Sequence, residues 1–179
     1  MFSPTGLYGE LQLDRARAYR LLIHAELEAY IEDRGSTLAT SAVTEWNANK
    51  VLSPTLLGLL AFTKDTENPQ PAQPTATVSG MARRLTTALA HYKSRVHQNH
   101  GIKTKNICEL LLPIGIQDVD LDPVWMNAMD NFGTDRGMVA HQSSAIALVR
   151  YAIDPQSELM TVTTLLGGLK IVDEQISAL

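Results

Sequence analysis

Nowhere in this chain do apolar and polar residues alternate convincingly with a period of two; where they repeat, they repeat every three or four positions. Successive side chains of a strand point to opposite faces, whereas residues three and four apart share one face of an α-helix. This pattern excludes a half-buried sheet and predicts an all-α protein, a bundle of long antiparallel helices with one Pro-rich loop. In "DRARAYRLLIHAELEAYIEDRG" (14–35), Tyr19, Ile23, Leu27 and Tyr30 recur at helical spacing, and Gly35 predicts a stop. Ser36 then caps a second helix running through about Asn49.

Proline, glycine and short polar residues punctuate the rest. Ser53 followed by Pro54 reads as a cap and a first helical residue. The stretch about 63–77 has three prolines and almost nothing apolar, which predicts a mobile loop inside one domain spanning 1–179. A long helix is expected from roughly Val78 to Asn99, ending at Gly101, and a short one over Thr104 to Leu112, stopping before Pro113. Asp122 and Pro123 open another that ends near Gly133; the next carries "DRGMVAHQSSAIALVRYAI" (135–153). Asp154 and Pro155 repeat the same start signal for the last helix, whose stripe reads Leu159, Val162, Leu166, Leu169, Val172, Ile176. Gly167 and Gly168 lie in its middle, each costing about 1 kcal/mol against alanine. That cost is tolerated where a close neighbour, from this chain or another, needs the room, or where the helix breaks.

Composition narrows the function classes. With 179 residues, 45 % of them apolar and 19 % charged, the chain can bury a core, and it is neither disordered nor broadly cationic at a net charge of −4. The single cysteine, Cys108, allows no internal disulfide, which fits a reducing cytoplasm. No apolar run reaches the roughly 20 residues of a membrane span, and "MFSPTGLYGE" has no secretory pattern. The charge is nevertheless segregated. Between Arg83 and Lys105 stand Arg83, Arg84, Lys93, Arg95, Lys103, Lys105 and three histidines, with no acid; between Glu109 and Asp135 stand six acids and no base. The basic run is either one solvated face or a patch that attracts phosphate.

Several chemistries lack their residues. There is no Gly-rich phosphate loop, no Cys-x-x-Cys and no His-Glu-x-x-His, and the five histidines form no recognisable metal set, so neither metal nor cofactor is expected. Two polar constellations remain. Arg20, His24 and Glu28 succeed one another at four-residue intervals, with Arg17 beside them; they form either a surface ladder or a set supporting a cleft. In "DRGMVAHQ" (135–142), Arg136 and His141 are separated by four residues, which places them about 140° apart on a straight helix. They do not pair easily within that helix, and His141 falls at the edge of its apolar arc.

At these residues the chain resembles the HEPN superfamily, whose hallmark is an arginine, four to six residues, then a histidine, at the start of a late helix in an all-α bundle. "RGMVAH" (136–141) has that form. "LIHAELEAYIEDR" (22–34) is similar to the first helix of the RiboL-PSP-HEPN-like branch, and "NHGIKTKNICELLLPIGI" (99–116) and "WMNAMDNFGTDRGMVAH" (125–141) to its segment leading into the motif. The resemblance implies a metal-independent endoribonuclease, a toxin with an antitoxin partner or an antiviral-defence effector, and a homodimer whose two motifs meet in one composite site. Residues that splay apart on one helix can converge across a two-fold axis. It implies Arg136 and His141 as catalytic residues, with Asp135, His24 and Glu28 in support. Arg83, Arg84, Tyr92, Lys93, Arg95, Lys103 and Lys105 would form an RNA track, with Tyr92 stacking on bases. The chain departs from many active members at Gly137, where they carry a polar residue after the arginine, and Asp135 can either substitute for it or pair with Arg136. The other reading is a non-catalytic HEPN module that binds RNA, a nucleotide or a partner protein.

Overall fold

The computed structural model describes residues 2–3, 5–63, 80–141 and 153–179; the side chains at 138, 140 and 141 fall outside that description. The described residues form six α-helices, two one-turn 3-10 helices and no strand, so the fold class is all-α. The helices are α1 (Glu10–Asn49), α2 (Pro54–Ala61), α3 (Gly80–His97), α4 (Thr104–Leu111), α5 (Pro123–His141) and α6 (Pro155–Ser177). None of them is long and apolar enough to cross a membrane. The expected Pro-rich loop lies outside the described residues apart from Thr63.

The start signals act as the sequence predicts. Ser53 Oγ accepts the Leu56 amide at 3.3 Å with Pro54 behind it, and Asp154 Oδ2 accepts the Ser157 amide at 2.8 Å. Hydrogen bonding from Ser157, first through its side chain and then its backbone, holds the Asp154 carboxyl below its ordinary pKa. The cap of α4 comes from elsewhere in the chain: Asp130 accepts the Thr104 amide at 2.7 Å and its hydroxyl at 2.8 Å.

The expected stops at Gly35 and Gly133 do not occur. α1 continues through Gly35 for 40 residues, and α5 continues through Gly133 to His141. At Gly35 a Cβ would overlap the Tyr92 hydroxyl, and at Gly133 it would lie 3.2 Å from the Lys103 side chain. At Gly35 the room is needed by a buried side chain, which outweighs the roughly 1 kcal/mol of helix propensity forgone; at Gly133 the neighbour is the flexible Lys103 side chain. α1 does end with Lys50 in the left-handed conformation at φ 59°, its amide bonded to Trp46 O at 2.9 Å.

The chain groups into two compact units. One comprises Met1–Tyr30, His100–Asn106 and Leu121–Asp173; the other Ile31–Asn99, Ile107–Asp120 and Glu174–Leu179. In the first, Trp125, Met129 and Phe132 of α5 and Val162 and Leu165 of α6 are buried, and the Trp125 indole donates to Leu165 O at 3.0 Å. α6 passes Gly167–Gly168 without a break; a Cβ at Gly168 would overlap the Trp125 ring, whereas at Gly167 it would meet nothing within 4 Å among the described residues. In the second, Ile31, Leu56, Leu59, Leu85, Tyr92, Leu111 and Ile114 are buried, and Gly58 packs so closely that a Cβ there would come 2.7 Å from Pro113 O. α1 supplies its first half to one unit and its second half to the other.

Candidate active site and its buried ion pairs

The site is built on α5. Phe132 and Val139, seven residues apart, face inward at 2 % and 7 % exposure. Asp135 and Arg136 lie between them; the Asp135 side chain keeps 30 % exposure and Arg136 is exposed. Val139 packs with Ala16 and Ile153 in a small apolar cluster against which Leu21 lies, so α1 crosses this turn of α5.

The buried line of α1 carries two polar residues there. It runs Ala16, Arg20, His24, Leu27, Ile31, at spacings of four, four, three and four. The sequence-level alternative of a surface ladder is corrected by this burial. Arg20 is 7 % exposed and His24 3 %, because their partners arrive from α5 and α6. Arg20 Nε donates to Glu158 Oε1 at 2.9 Å, and its Nη2 donates to Oε2 of the same carboxylate. Its Nη1 stands 3.3 Å from Asp135 Oδ2, and its guanidinium lies over the Phe132 ring at 5.4 Å from the centroid. One cation thus sits between two carboxylates, with an aromatic face beneath it.

Glu158 was absent from the expected apolar stripe of α6, yet it is 2 % exposed, while Leu159 and Leu166 are 43 % and 48 % exposed. The buried line of α6 is Glu158, Val162, Leu165, Leu169, Val172, Ile176. Its spacing alternates four and three, more regular than the expected one. That regularity is the signal that could have found Glu158. A charge standing on an apolar stripe requires a buried opposite charge, and Arg20 on the α1 stripe poses the matching requirement.

His24 stacks on Phe132, the rings 6.5 Å apart and inclined by 15°, and its Nδ1 is 3.5 Å from Glu28 Oε2. Burial, and then the positive charge of Arg136, hold its pKa down at about 4. At neutral pH His24 is therefore uncharged, and its contact with Glu28 is not an ion pair. Of the expected supporting residues, Asp135 is joined to Arg20 and Glu28 lies beside His24, on which the expected catalytic Arg136 acts through its charge. The backbone of His141 closes α5, and its side chain lies outside the described residues. Among the described residues nothing lies within 4 Å of where a Cβ at Gly137 would stand.

The basic run divides. Arg83, Arg84 and Lys93 of α3 are exposed, as are Lys103 and Lys105, whereas Arg95 is half-buried and donates to Phe62 O at 3.3 Å and Glu109 O at 3.4 Å. Tyr92 requires a correction: it is 2 % exposed and its hydroxyl donates to Leu110 O at 2.9 Å, so it is a core residue and presents no face to a base. Burial, the larger cause, raises the pKa of its hydroxyl. The sequence placed Tyr92 among cations without seeing that it completes the stripe Leu85, Ala88, Tyr92. Among the described residues no three His, Cys, Asp or Glu side chains stand close enough to share a metal ion. Set beside known proteins, the chain matches no family model, no curated protein and no solved structure.

Proposed function

We propose that the chain is a metal-independent RNA endonuclease of the HEPN type, acting in the cytoplasm as a toxin or defence effector, with RNA as substrate and an antitoxin or defence protein as partner. The observation that carries this reading is the anchoring of the Asp135–Arg136 turn by the buried Arg20–Glu158 pair. Buried ion pairs lose much of their attraction to desolvation and are weak contributors to stability, so the place of this pair beside Arg136 supports a role in geometry there.

In this reading RNA supplies the nucleophile, its own 2′-hydroxyl. Arg136 holds the scissile phosphate through two parallel hydrogen bonds while negative charge builds on it. His141 moves the proton, imidazole being the side chain that exchanges one near neutral pH, and the products carry a 2′,3′-cyclic phosphate and a 5′-hydroxyl. His24 is no substitute, since a group titrating at about 4 is neither an acid nor an efficient base at pH 7. Two copies facing across a two-fold axis would bring both motifs into one cleft. Arg83, Arg84 and Lys93 in one unit and Lys103 and Lys105 in the other are exposed, and in this reading they contact RNA phosphates.

The test is incubation of wild type and His141→Ala with total RNA in EDTA, with product ends mapped. Cleavage by wild type alone, slowed by about 100-fold or more in the variant, is expected. Equal cleavage by both removes His141 from the mechanism, and loss of wild-type cleavage in EDTA removes the metal-free chemistry. The absence of a polar side chain at Gly137 favours the second reading, a binding module; RNA retained in a shift assay without cleavage would establish it.

A further inference from the structure

Asp135 precedes Arg136 in the chain, and a carboxylate beside a phosphate-holding guanidinium is a competitor for it. Residues adjacent on a helix are rotated about 100° and do not face each other, so a pairing of the two needs the long arginine side chain to bend toward the carboxylate. The geometry gives the carboxylate another partner. Arg20, buried and tied at two points to Glu158, holds Nη1 at 3.3 Å from Asp135 Oδ2. The Glu158 bonds fix the guanidinium plane, and the Phe132 ring supports it from one side, so the third nitrogen meets α5 at a set position.

We infer that Arg20 is a positioning residue: anchored by Glu158, it takes up the Asp135 carboxylate and so withdraws it from Arg136, whose guanidinium then meets RNA phosphate. The inference rests on the proposed RNA-cleaving role of Arg136 and adds a residue and a pairing that the arginine–histidine motif does not contain. It also gives Asp135 a defined part. It is neither a substitute for a polar residue at 137 nor a clamp on Arg136, but the acid through which α1 sets the state of the motif.

The experiment is a mutant cycle read by binding. The ligand is a short 2′-O-methyl oligoribonucleotide, which 2′-hydroxyl attack cannot cleave, and affinity is followed by fluorescence anisotropy. R20M/E158M removes the buried pair together and leaves an apolar contact, a replacement that commonly preserves folding. R20Q/E158Q, which keeps polar partners without charge, is run beside it, and thermal unfolding checks both. Asp135 then has Arg136 as the cation next to it in the chain. Binding is expected to weaken about fivefold, the worth of an exposed ion pair. Asp135→Asn in that background should restore wild-type affinity, while Asp135→Asn alone should gain less. Because the charge change is the same in both backgrounds, the non-additivity isolates the pairing. On cleavable RNA the double variant should raise KM and leave kcat nearly unchanged. Wild-type affinity in folded R20M/E158M, or an equal effect of Asp135→Asn in both backgrounds, would overturn the inference. Wild-type protein that binds the oligonucleotide but cuts no RNA would sink the ribonuclease reading alone; failure to bind it would sink both.

Discussion

The two halves of α1 follow one rule with opposite chemistry. From Glu10 to Tyr30 the buried line holds Arg20 and His24, answered by Glu158, Asp135 and Phe132. From Ile31 to Asn49 it holds Ile31, Gly35, Ala39, Ala42 and Val43, and the neighbour at Gly35 is the ring and hydroxyl of Tyr92. The same helical repeat thus selects positions in both halves, and what occupies them differs. The second half gains stability from apolar burial and close approach, about 1.5–3 kcal/mol for a side chain the size of Ile31. The first half buries charge, which desolvation makes costly, beside the turn that carries Arg136. Stability alone does not require this pair: apolar residues placed at 20 and 158 together commonly serve as well, whereas removing either charge alone leaves the other buried and unpaired.

Breaking the pair on one side is the largest expected perturbation of the contrast. Arg20→Ala leaves Glu158 charged and buried, and should destabilise by about 3–5 kcal/mol in denaturant unfolding. Ile31→Ala, a cavity mutation in the other half, falls in a range of about 2–5 kcal/mol. The two separate on rescue: adding Glu158→Met recovers most of the first loss and none of the second. If Glu158→Met fails to recover it, the charge of Glu158 is not the cause.

The next effect is a pH dependence confined to the first half. His24 titrates at about 4 when folded and near 6.5 when unfolded, so the unfolded chain binds more protons between those values. Its contribution is fully present above pH 6.5 and is lost as pH falls through 4, on the order of 3 kcal/mol over that window. Urea unfolding at several pH values should show this slope in wild type, and His24→Gln should flatten it. An unchanged slope in the variant would assign the dependence to other groups.

The smallest effects concern glycines and sharpen the packing half of the comparison. Gly35→Ala forces the Tyr92 hydroxyl off Leu110 O, and Gly168→Ala presses on the Trp125 ring; each should lower stability by about 1–3 kcal/mol. Gly167→Ala, with nothing among the described residues within 4 Å, should instead raise it by about 0.5–1 kcal/mol. Adjacent glycines with opposite signs in a thermal melt would show that propensity decides one and tertiary packing the other.

Much of the fold was legible because its signals are local. The caps Ser53 and Asp154 and the prolines that follow them act within one turn, and the absence of any two-residue alternation excluded strands before any contact was known. The illegible parts all needed a distant residue. Gly35 and Gly133 read as stops since nothing nearby says that Tyr92 or Lys103 occupies the missing Cβ space. Tyr92 read as a stacking platform because its sequence neighbours are cations, whereas its spatial neighbour is Leu110 O. Arg20 and His24 read equally well as a surface ladder, since the partners that bury them lie on α5 and α6.

The sequence by itself determined the helical class, several helix starts, and the arginine–histidine spacing that makes Arg136 and His141 candidates. Those depend on backbone periodicity and on hydrogen bonds closed within a few residues. Only the tertiary structure decided that Arg20 is buried, that Glu158 answers it across 138 residues, and that Asp135 turns to α1. The reason is physical: a buried charge is tolerable only with its partner present, and no local pattern states where a partner 138 residues away will lie.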